Sequence, residues 1–572
     1  SSRGTTTNLE GSYELPLEPG THRVVFQYVG YRPQVREVRV GGVPLRLDVQ
    51  LAPEVVSLRE VEVRAGAEDP AYEIMRRAIA RRRHYRELVR SFACDVYIKG
   101  TVKILDAPET ILGQEVGDLD GSLDSNRQGI VYLSESEARW FFQQPDRYRE
   151  IMVSSKVSGD DQGFSFNSAS DLNLNLYDEH IPFGRQVLSP LADNAFNYYR
   201  FRLEGTIVNE DGSWLYKIHM RPKRPEDPVM QGYLYIVDSL YLVQGLDAFL
   251  TGRAMNWEVF DTLYVHQVHV PVRPPEVWRV FSQNYRVRGG VFGFRFEGHF
   301  AAVYSNYAID TTFAPGFFGN ELLTVQPEAN EKDLTYWDSI RPVPLTHEER
   351  VDYVRKDSIA RVRRSKPYLD SLDRVNNRLE PLEILLGYTW RNSFKRRSWT
   401  YASPLASLQF STVQGFYGNF DLSFRQNLDA QAHRWWRLNT VLNYGLSEKK
   451  LRNAWKFTYH FNQTHFARLE LEGGTAVAQF NPEEPISLSQ NTFFSLTFRR
   501  NHIRLFDKTF ARIAYRRELA NGLLLRSALE WSRRRPLPTH SGFSYFYRDS
   551  RTFADNTPDP LALPDHALDP NR

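Results

Sequence analysis

Two periods organise this chain. Toward its C-terminus apolar and polar residues alternate: Trp436, Leu438, Leu442 and Tyr444 stand against Arg437, Asn439 and Asn443, and Trp455, Phe457, Tyr459 and Phe461 against Lys456, Thr458, His460 and Asn462. The same period runs through residues 420–425, 468–472, 494–499 and 523–530. A period of two predicts strands with unlike faces. The polar partners are too ionic for the inside of a soluble sandwich, so the pattern predicts an antiparallel barrel that is oily outside and polar within. A lipid-facing charge near mid-membrane costs roughly 2–4 kcal/mol. The lumen is therefore the expected place for Arg437, Lys456, Arg468, Glu470, Arg499, Arg512, Arg526 and Glu530, with some of the tryptophans at the interfaces.

Upstream, Asp69-Pro70 supplies a helix cap and a first-turn proline, after which Ile74, Met75, Ala78, Ile79, Tyr85 and Leu88 recur at helical spacing. The other side carries Arg76, Arg77, Arg81, Arg82, Arg83, Arg86 and Arg90. That row is either a solvated face or a contact for lipid phosphates or an acidic partner. From residue 92 to about 307 long strands follow in meander order, with Asp211-Gly212 as a hairpin signal. Trp214, Tyr235, Phe249, Trp257, Trp278, Phe292 and Phe294 are candidates to line an apolar cavity in one curved sheet; a closed core packed by a helix would alternate in the same way. Thr346 and Glu349 form a capping box in a helical connector. Near the start, Tyr13, Leu15 and Leu17, then Glu18-Pro19-Gly20-Thr21, then Val24, Phe26 and Tyr28, predict a hairpin of a small sandwich.

The 572 residues suggest about three or four domains. A net charge of +3 does not recommend nucleic acid as a partner. Cys94 is the one cysteine, so intrachain disulfides and cysteine-based metal sites are out. No stretch reaches the ~18 apolar residues of a membrane helix, and Ser1-Ser2-Arg3-Gly4 does not read as a signal peptide. His266 and His269 fall on opposite faces of a strand, and His347-Glu348-Glu349 lacks the second histidine of a zinc helix. No phosphate loop or Gly-x-Ser-x-Gly elbow occurs, and Cys94 reads as a buried structural thiol. Asp160, Asp161, Asp171, Asp178 and Glu179 fit no calcium loop and read as a solvated stretch, with 154–175 as a recognition loop or lid. No cofactor is expected.

Residues 4–31 resemble the carboxypeptidase-regulatory-like domain, a binding or spacer module. The middle sheet is similar, in rhythm alone, to the half-barrel of periplasmic lipoprotein carriers, which implies acyl-chain binding. Ser91 to Gly100, Gly129 to Glu135, Ser154 to Gly159, Ser189 to Ala195, Ile340 to Thr346 and Ser365 to Asp373 resemble an uncharacterised outer-membrane family. That family joins such a regulatory-like domain to a domain of unknown function ending in a β-barrel. It implies further strands before residue 1 and after residue 572. The expected fold is mainly β: a partial sandwich over 1–66, the Arg-rich helix over 67–91, a periplasmic curved sheet over 92–330, a helical connector over 331–380 and an incomplete barrel over 381–572. The expected function is a noncatalytic outer-membrane protein with periplasmic domains, acting in envelope biogenesis or transport, with lipid or lipoprotein handling as the narrower form. Its expected partners are outer-membrane lipids and other outer-membrane or periplasmic proteins. The alternatives are a docking or scaffold subunit of a larger complex and an envelope hydrolase using carboxylates.

Overall fold

The computed structural model describes residues 4–28, 31, 33–52, 68–119, 121–159, 167–208, 214–429, 432–481, 483 and 485–556. The chain is mainly β and divides into two compact units, residues 1–360 and 361–572.

The first unit opens with β1 (Gly20–Phe26) and β2 (Gln34–Val40), followed by α1 (Pro70–Glu87). β3 (Ser91–Asp106) leads through the short β4 (Thr110–Ile111) and β5 (Gln114–Glu115) to β6 (Gly129–Gln143) and β7 (Arg147–Val157). The small hairpin β8 (His180–Phe183) and β9 (Arg185–Leu188) and the turn α2 (Ala195–Tyr198) come next. A meander follows: β10 (Tyr199–Val208), β11 (Trp214–Pro222), β12 (Gln231–Val237) and β13 (Val243–Thr251), then α3 (Gly252–Met255), β14 (Phe260–Arg273), β15 (Val277–Val291) and β16 (Phe294–Ile309). β17 (Leu323–Val325), α4 (Leu334–Ile340) and α5 (His347–Arg364) finish the unit. Its main sheet has eleven strands in the order β10-β11-β12-β13-β14-β15-β16-β3-β6-β7-β17. The meander thus returns its last long strand beside β3.

Asp69 caps α1 by accepting from the Ala71 amide at 2.9 Å, and the same oxygen accepts from the Leu203 amide of β10 at 3.0 Å. One carboxylate starts the helix and ties it to the sheet edge. Ala71, Ile74, Met75 and Ala78 then bury against Met220, Leu234, Leu246 and Leu250 of the sheet, with Leu174, Leu176 and Leu191 from the stretch before α2 filling the same core. This corrects the expected cavity: the face that α1 covers is closed by the chain's own side chains. Of the hairpin expected around Glu18 to Thr21 only the second arm is a strand, and β1 pairs with β2; Tyr13 still packs its ring on Phe26, the cross-turn contact that hairpin would make. The Asp211-Gly212 turn lies outside the described residues, although the strands flanking it pair antiparallel as expected.

The second unit contains α6 (Lys366–Asn376), α7 (Glu383–Leu386), β18 (Gly387–Asn392), β19 (Arg397–Ala402), α8 (Pro404–Ser407) and β20 (Gln409–Ser411). Four long strands, β21 (Gly415–Asn427), β22 (Trp435–Gly445), β23 (Lys450–Asn462) and β24 (Ala467–Gln479), precede α9 (Leu488–Phe498), β25 (Leu505–Ala520) and β26 (Leu523–Pro536). They form a nine-stranded antiparallel sheet, with β20 paired beside β21. Residues 494–498, expected as a strand, are helical. Ser487 and Gln490 exchange side-chain and backbone hydrogen bonds in a full capping box, which starts a helix that a short run of alternation cannot oppose.

Because Asp69 serves two backbone donors, Asp69→Ala should lower stability by about 1–2 kcal/mol. Urea denaturation measures the loss, and amide exchange should speed up at both Ala71 and Leu203.

Candidate functional site

The arginines of α1 are largely engaged. Arg76 pairs with Glu68 at 2.6 Å, Arg83 with Glu87 at 2.8 Å and Arg86 with Asp178 at 3.3 Å. Arg77 binds Glu73 at 2.9 Å and the Tyr241 hydroxyl at 2.7 Å, while Arg81 donates to the carbonyls of Ser239 and Leu240 at 3.0 and 2.9 Å. Arg82 holds Glu179 and, at 3.1 Å, Asp193. Four of these side chains reach other segments, so the row fastens α1 to its surroundings more than it presents a free cationic face. Arg90 begins the turn into β3, its amide 3.4 Å from the Asp310 carboxylate.

Beside α1 lies a cavity of about 300 Å³, lined by the apolar Ile74, Leu203, Trp214 and Tyr216 and by Glu73, Arg77 and Asp238 among others. Asp238 accepts from the Tyr216 hydroxyl at 2.6 Å. Of the seven aromatics assigned to a cavity, Trp214 alone lines this one. Tyr235 is buried with Tyr85 and Leu242, Phe249 packs on Tyr264, Trp257 on Phe260, and Phe294 against the Ile104 cluster. Trp278 donates to the Pro275 carbonyl at 2.8 Å. Phe292 is 82% exposed, because it sits in the left-handed turn between β15 and β16.

The opposite face of β3 and β6 carries a layer of buried charge. Lys99, 2% exposed, donates to Glu349 of α5 at 2.9 Å and to the Pro344 carbonyl at 3.1 Å. Glu349 also accepts from Thr101 and from the Thr346 amide, both at 2.9 Å, while its own amide donates to Thr346 at 3.2 Å. This is the expected capping box, with its acid also paired to a strand. Two residues further along β6 from Leu133, the fully buried Glu135 takes Arg341 bidentately at 2.6 and 2.9 Å and accepts from Tyr97 at 2.5 Å and Tyr353 at 3.0 Å. Lys356 bridges Asp352 at 3.0 Å and the Ile130 carbonyl at 2.6 Å. Burial opposes the charge on both Glu349 and Arg341. Lys99 nevertheless holds the Glu349 carboxyl below its usual range, and Glu135 holds Arg341 more firmly protonated. His299, beside Lys99 and Glu349, is pushed down to about 4 by burial and then by the Lys99 charge.

In the second unit the two faces separate cleanly. One row in register crosses six strands as Ser423, Asn439, Lys456, Glu472, Arg512 and Glu530. Lys456 pairs with Glu472 at 2.9 Å and Glu470 at 3.3 Å, Arg512 with Glu472 at 3.0 Å, and Arg468 with Glu470 at 3.2 Å. Arg437 stacks over Trp435, and Arg526 opposes Arg516 on the same face as Glu530. The adjacent row is Trp399, Phe424, Leu438, Phe457, Leu471, Ile513 and Leu529. It stays open to its surroundings: Leu529 is 74% exposed, and Trp399, Leu438, Trp455, Ile513 and Trp531 are exposed too. Arg499 is the exception among the assigned lumen residues. It ends α9 in a left-handed conformation and donates to the Arg548 carbonyl, because its segment is helical.

Asp160 and Asp161 lie outside the described residues. Asp171 accepts from Ser168 at 2.6 Å, while Asp178 and Glu179 are taken by Arg86 and Arg82. Among the described residues no group of three or more His, Cys, Asp or Glu could hold a metal. Cys94 is buried, and burial pushes its thiol up.

The family of unknown function DUF5686 matches residues 74–307, and its C-terminal domain matches residues 382–572. The chain belongs to this family. A CarboxypepD_reg-like domain matches residues 1–63 ahead of it. No curated protein matches the chain. Among solved structures, a DUF1329 family protein from Desulfovibrio piger is similar over 44% of this chain and 98% of its own, at 11% identity and a TM-score of 0.19, an overlap too slight to bear on the fold.

Four of the six segments that carry the family resemblance meet in the buried ionic layer. Tyr97 and Lys99 come from Ser91 to Gly100, Glu135 from Gly129 to Glu135, Ser154 and Ser158 from Ser154 to Gly159, and Arg341, Pro344 and Thr346 from Ile340 to Thr346. Spacing along the chain carried no hint of this, since the partners are up to 250 positions apart. The family motifs were the one signal.

Lys99→Met alone should cost about 3–5 kcal/mol by stranding Glu349 in a dry layer, and Lys99→Met with Glu349→Leu should recover most of it. Denaturant unfolding of the four forms in the cycle gives the coupling. His299 and His269 are both pushed down to about 4 by burial. Between about 4 and 6.5 the unfolded chain therefore binds more protons, and stability is lost as pH falls through that window. The melting temperature of the first unit should decline there, with a shallower slope in His299→Gln.

Proposed function

We propose that this DUF5686 protein is a noncatalytic outer-membrane β-barrel protein whose preceding β-domains lie in the periplasm, acting in envelope biogenesis or transport. One observation carries the reading: the sheet of residues 387–536 turns an exposed row of aromatic and aliphatic side chains to one side and a row of alternating charges to the other. In water an open apolar face running across seven strands would be a liability, since soluble proteins seldom expose contiguous apolar patches beyond a few hundred Å². Against lipid it is the stable face, and the ions gain from a hydrated interior. The absence of a long apolar helix among the described residues does not bear on strands that cross a membrane.

The noncatalytic reading is supported by where the buried acids go. Glu135 and Glu349 are saturated by cations and hydroxyls that dock α4 and α5, and the two carboxylates lining the cavity beside α1 are engaged as well, Glu73 by Arg77 and Asp238 by the Tyr216 hydroxyl. Lipid or lipoprotein handling, the narrower form, rests on the cavity beside α1, where apolar walls meet the Arg77 guanidinium. It no longer rests on a hollow sheet.

The full-length protein should sediment with the outer membrane and resist carbonate extraction. Recovery as a detergent-free monomer would exclude the barrel. Leu438→Arg should lower the stability of bilayer-folded protein by about 2–4 kcal/mol, whereas Arg437→Leu, one position along, should cost much less. Reversible unfolding in lipid vesicles tests the pair.

A further inference from the structure

On the ionic side of the second sheet lies a pocket with an uncharged lining. Where β21 to β25 pass the turn at Gln414, a cavity of about 180 Å³ is lined by Gln414, Tyr417, Asn419, Asn443, Thr475 and Gln479, with Val441, Ala454, Val477 and Leu505 between them. No Asp, Glu, Lys or Arg lines it. Charged groups on the adjoining strands are spent on each other: Arg452 binds Glu448 at 2.5 Å and Asp507 at 2.6 Å, and Lys450 binds Asp507 at 2.7 Å.

The amides of the cavity form a chain with a direction. Gln414 Nε2 donates to Asn443 Oδ1 at 2.6 Å, and Asn443 Nδ2 donates to Asn419 Oδ1 at 2.8 Å. This leaves the Gln414 carbonyl oxygen at one end and the Asn419 amide nitrogen at the other, each without a hydrogen bond among the described residues. Gln414 is 1% exposed, so its free acceptor opens only onto the cavity. A polar group so enclosed calls for a partner. Polarisation along the chain strengthens its acceptor end and its donor end together.

We propose that this cavity binds a neutral, hydroxyl-bearing ligand, namely one pyranose unit of a saccharide. A hydroxyl both donates and accepts, which matches an acceptor and a donor at opposite ends of one chain. The apolar Tyr417, Val441 and Val477 suit the C–H face of a sugar ring. With room for several water-sized occupants, the space suits a single sugar ring and not a longer saccharide. A charged ligand would meet no counter-charge and would have to shed its hydration. The site depends on the cavity alone and stands whether or not the sheet closes as a membrane barrel.

The test uses the purified full chain in a detergent without a sugar headgroup and ligand-observed saturation-transfer NMR. The probes are the methyl glycosides of glucose, galactose, mannose and N-acetylglucosamine, with glucuronate as the charged control. At least one neutral glycoside should saturate, and glucuronate should bind at least 10-fold more weakly. Asn419→Leu, which removes the donor end, and Val441→Phe, which fills the space and leaves the amides alone, should each weaken binding 10-fold or more at an unchanged melting temperature. Arg437→Gln, on the same face outside the cavity, should leave it unchanged. Saturation by none of the four glycosides, equal binding of glucuronate, or binding that survives both cavity variants overturns the proposal.

Discussion

Side chains leave a β-strand alternately on two sides, and each of the two large sheets of this protein gives its sides opposite chemistry. In the first unit the even positions of β3, among them Cys94, Val96 and Ile98, enter the apolar core, while Tyr97, Lys99 and Thr101 enter the ionic layer. In the second unit Leu438 and Phe457 lie in one row and Asn439 and Lys456 in the next. A one-residue slip in any strand would put charge into the apolar side and leave aliphatic groups among ions. Register is therefore strongly specified in both sheets, by penalties rather than by any single bond.

The two solutions differ in what covers each side. The first sheet has both sides covered along much of its width, although Phe260 and Tyr264 of β14 stay exposed. α1 supplies an apolar stripe for one, and α4 and α5 supply a charged surface for the other, with Glu349 serving at once as helix cap and as counter-ion to Lys99. Buried ion pairs are weak sources of net stability, because desolvation offsets much of the attraction. Their worth is specificity: Lys99, Thr101 and Glu135 accept only a segment bringing Arg341, Tyr353 and Glu349 in the right order. The second sheet buries neither side in this way. Its ions pair along a row, its apolar row stays open, and that difference is what turns a structural description into a membrane proposal.

The same contrast isolates the places where a ligand has something to find. On the side of the second sheet where charge alternates, an uncharged pocket with a free acceptor and a free donor is a local exception. Beside α1, where almost every arginine is tied down, the cavity at Arg77 and Trp214 is another. Both arise where regular packing is interrupted, at the turn after β20 in one case and at the bulged edge strand β10 in the other.

Much of the architecture was legible along the chain because it is written in short-range periods. Alternation from Trp435 to Asn462 can only serve a strand with two unlike faces, Asp69-Pro70 can only begin a helix, and Thr346 with Glu349 caps one. Local pattern failed where two local signals competed, as at 494–498, where a capping box seven residues upstream outweighed the alternation of Phe494, Leu496 and Phe498. It also failed where the outcome depended on what else arrives. Nothing near Trp257 or Phe249 says that α1 and Leu174 will fill the space they were expected to line. Nothing near Lys99 says that its counter-ion is Glu349. Periodicity is a property of neighbours and survives in one dimension. The ionic layer, the closed core and the amide chain from Gln414 through Asn443 to Asn419 join residues far apart in sequence, so only the folded chain could decide them.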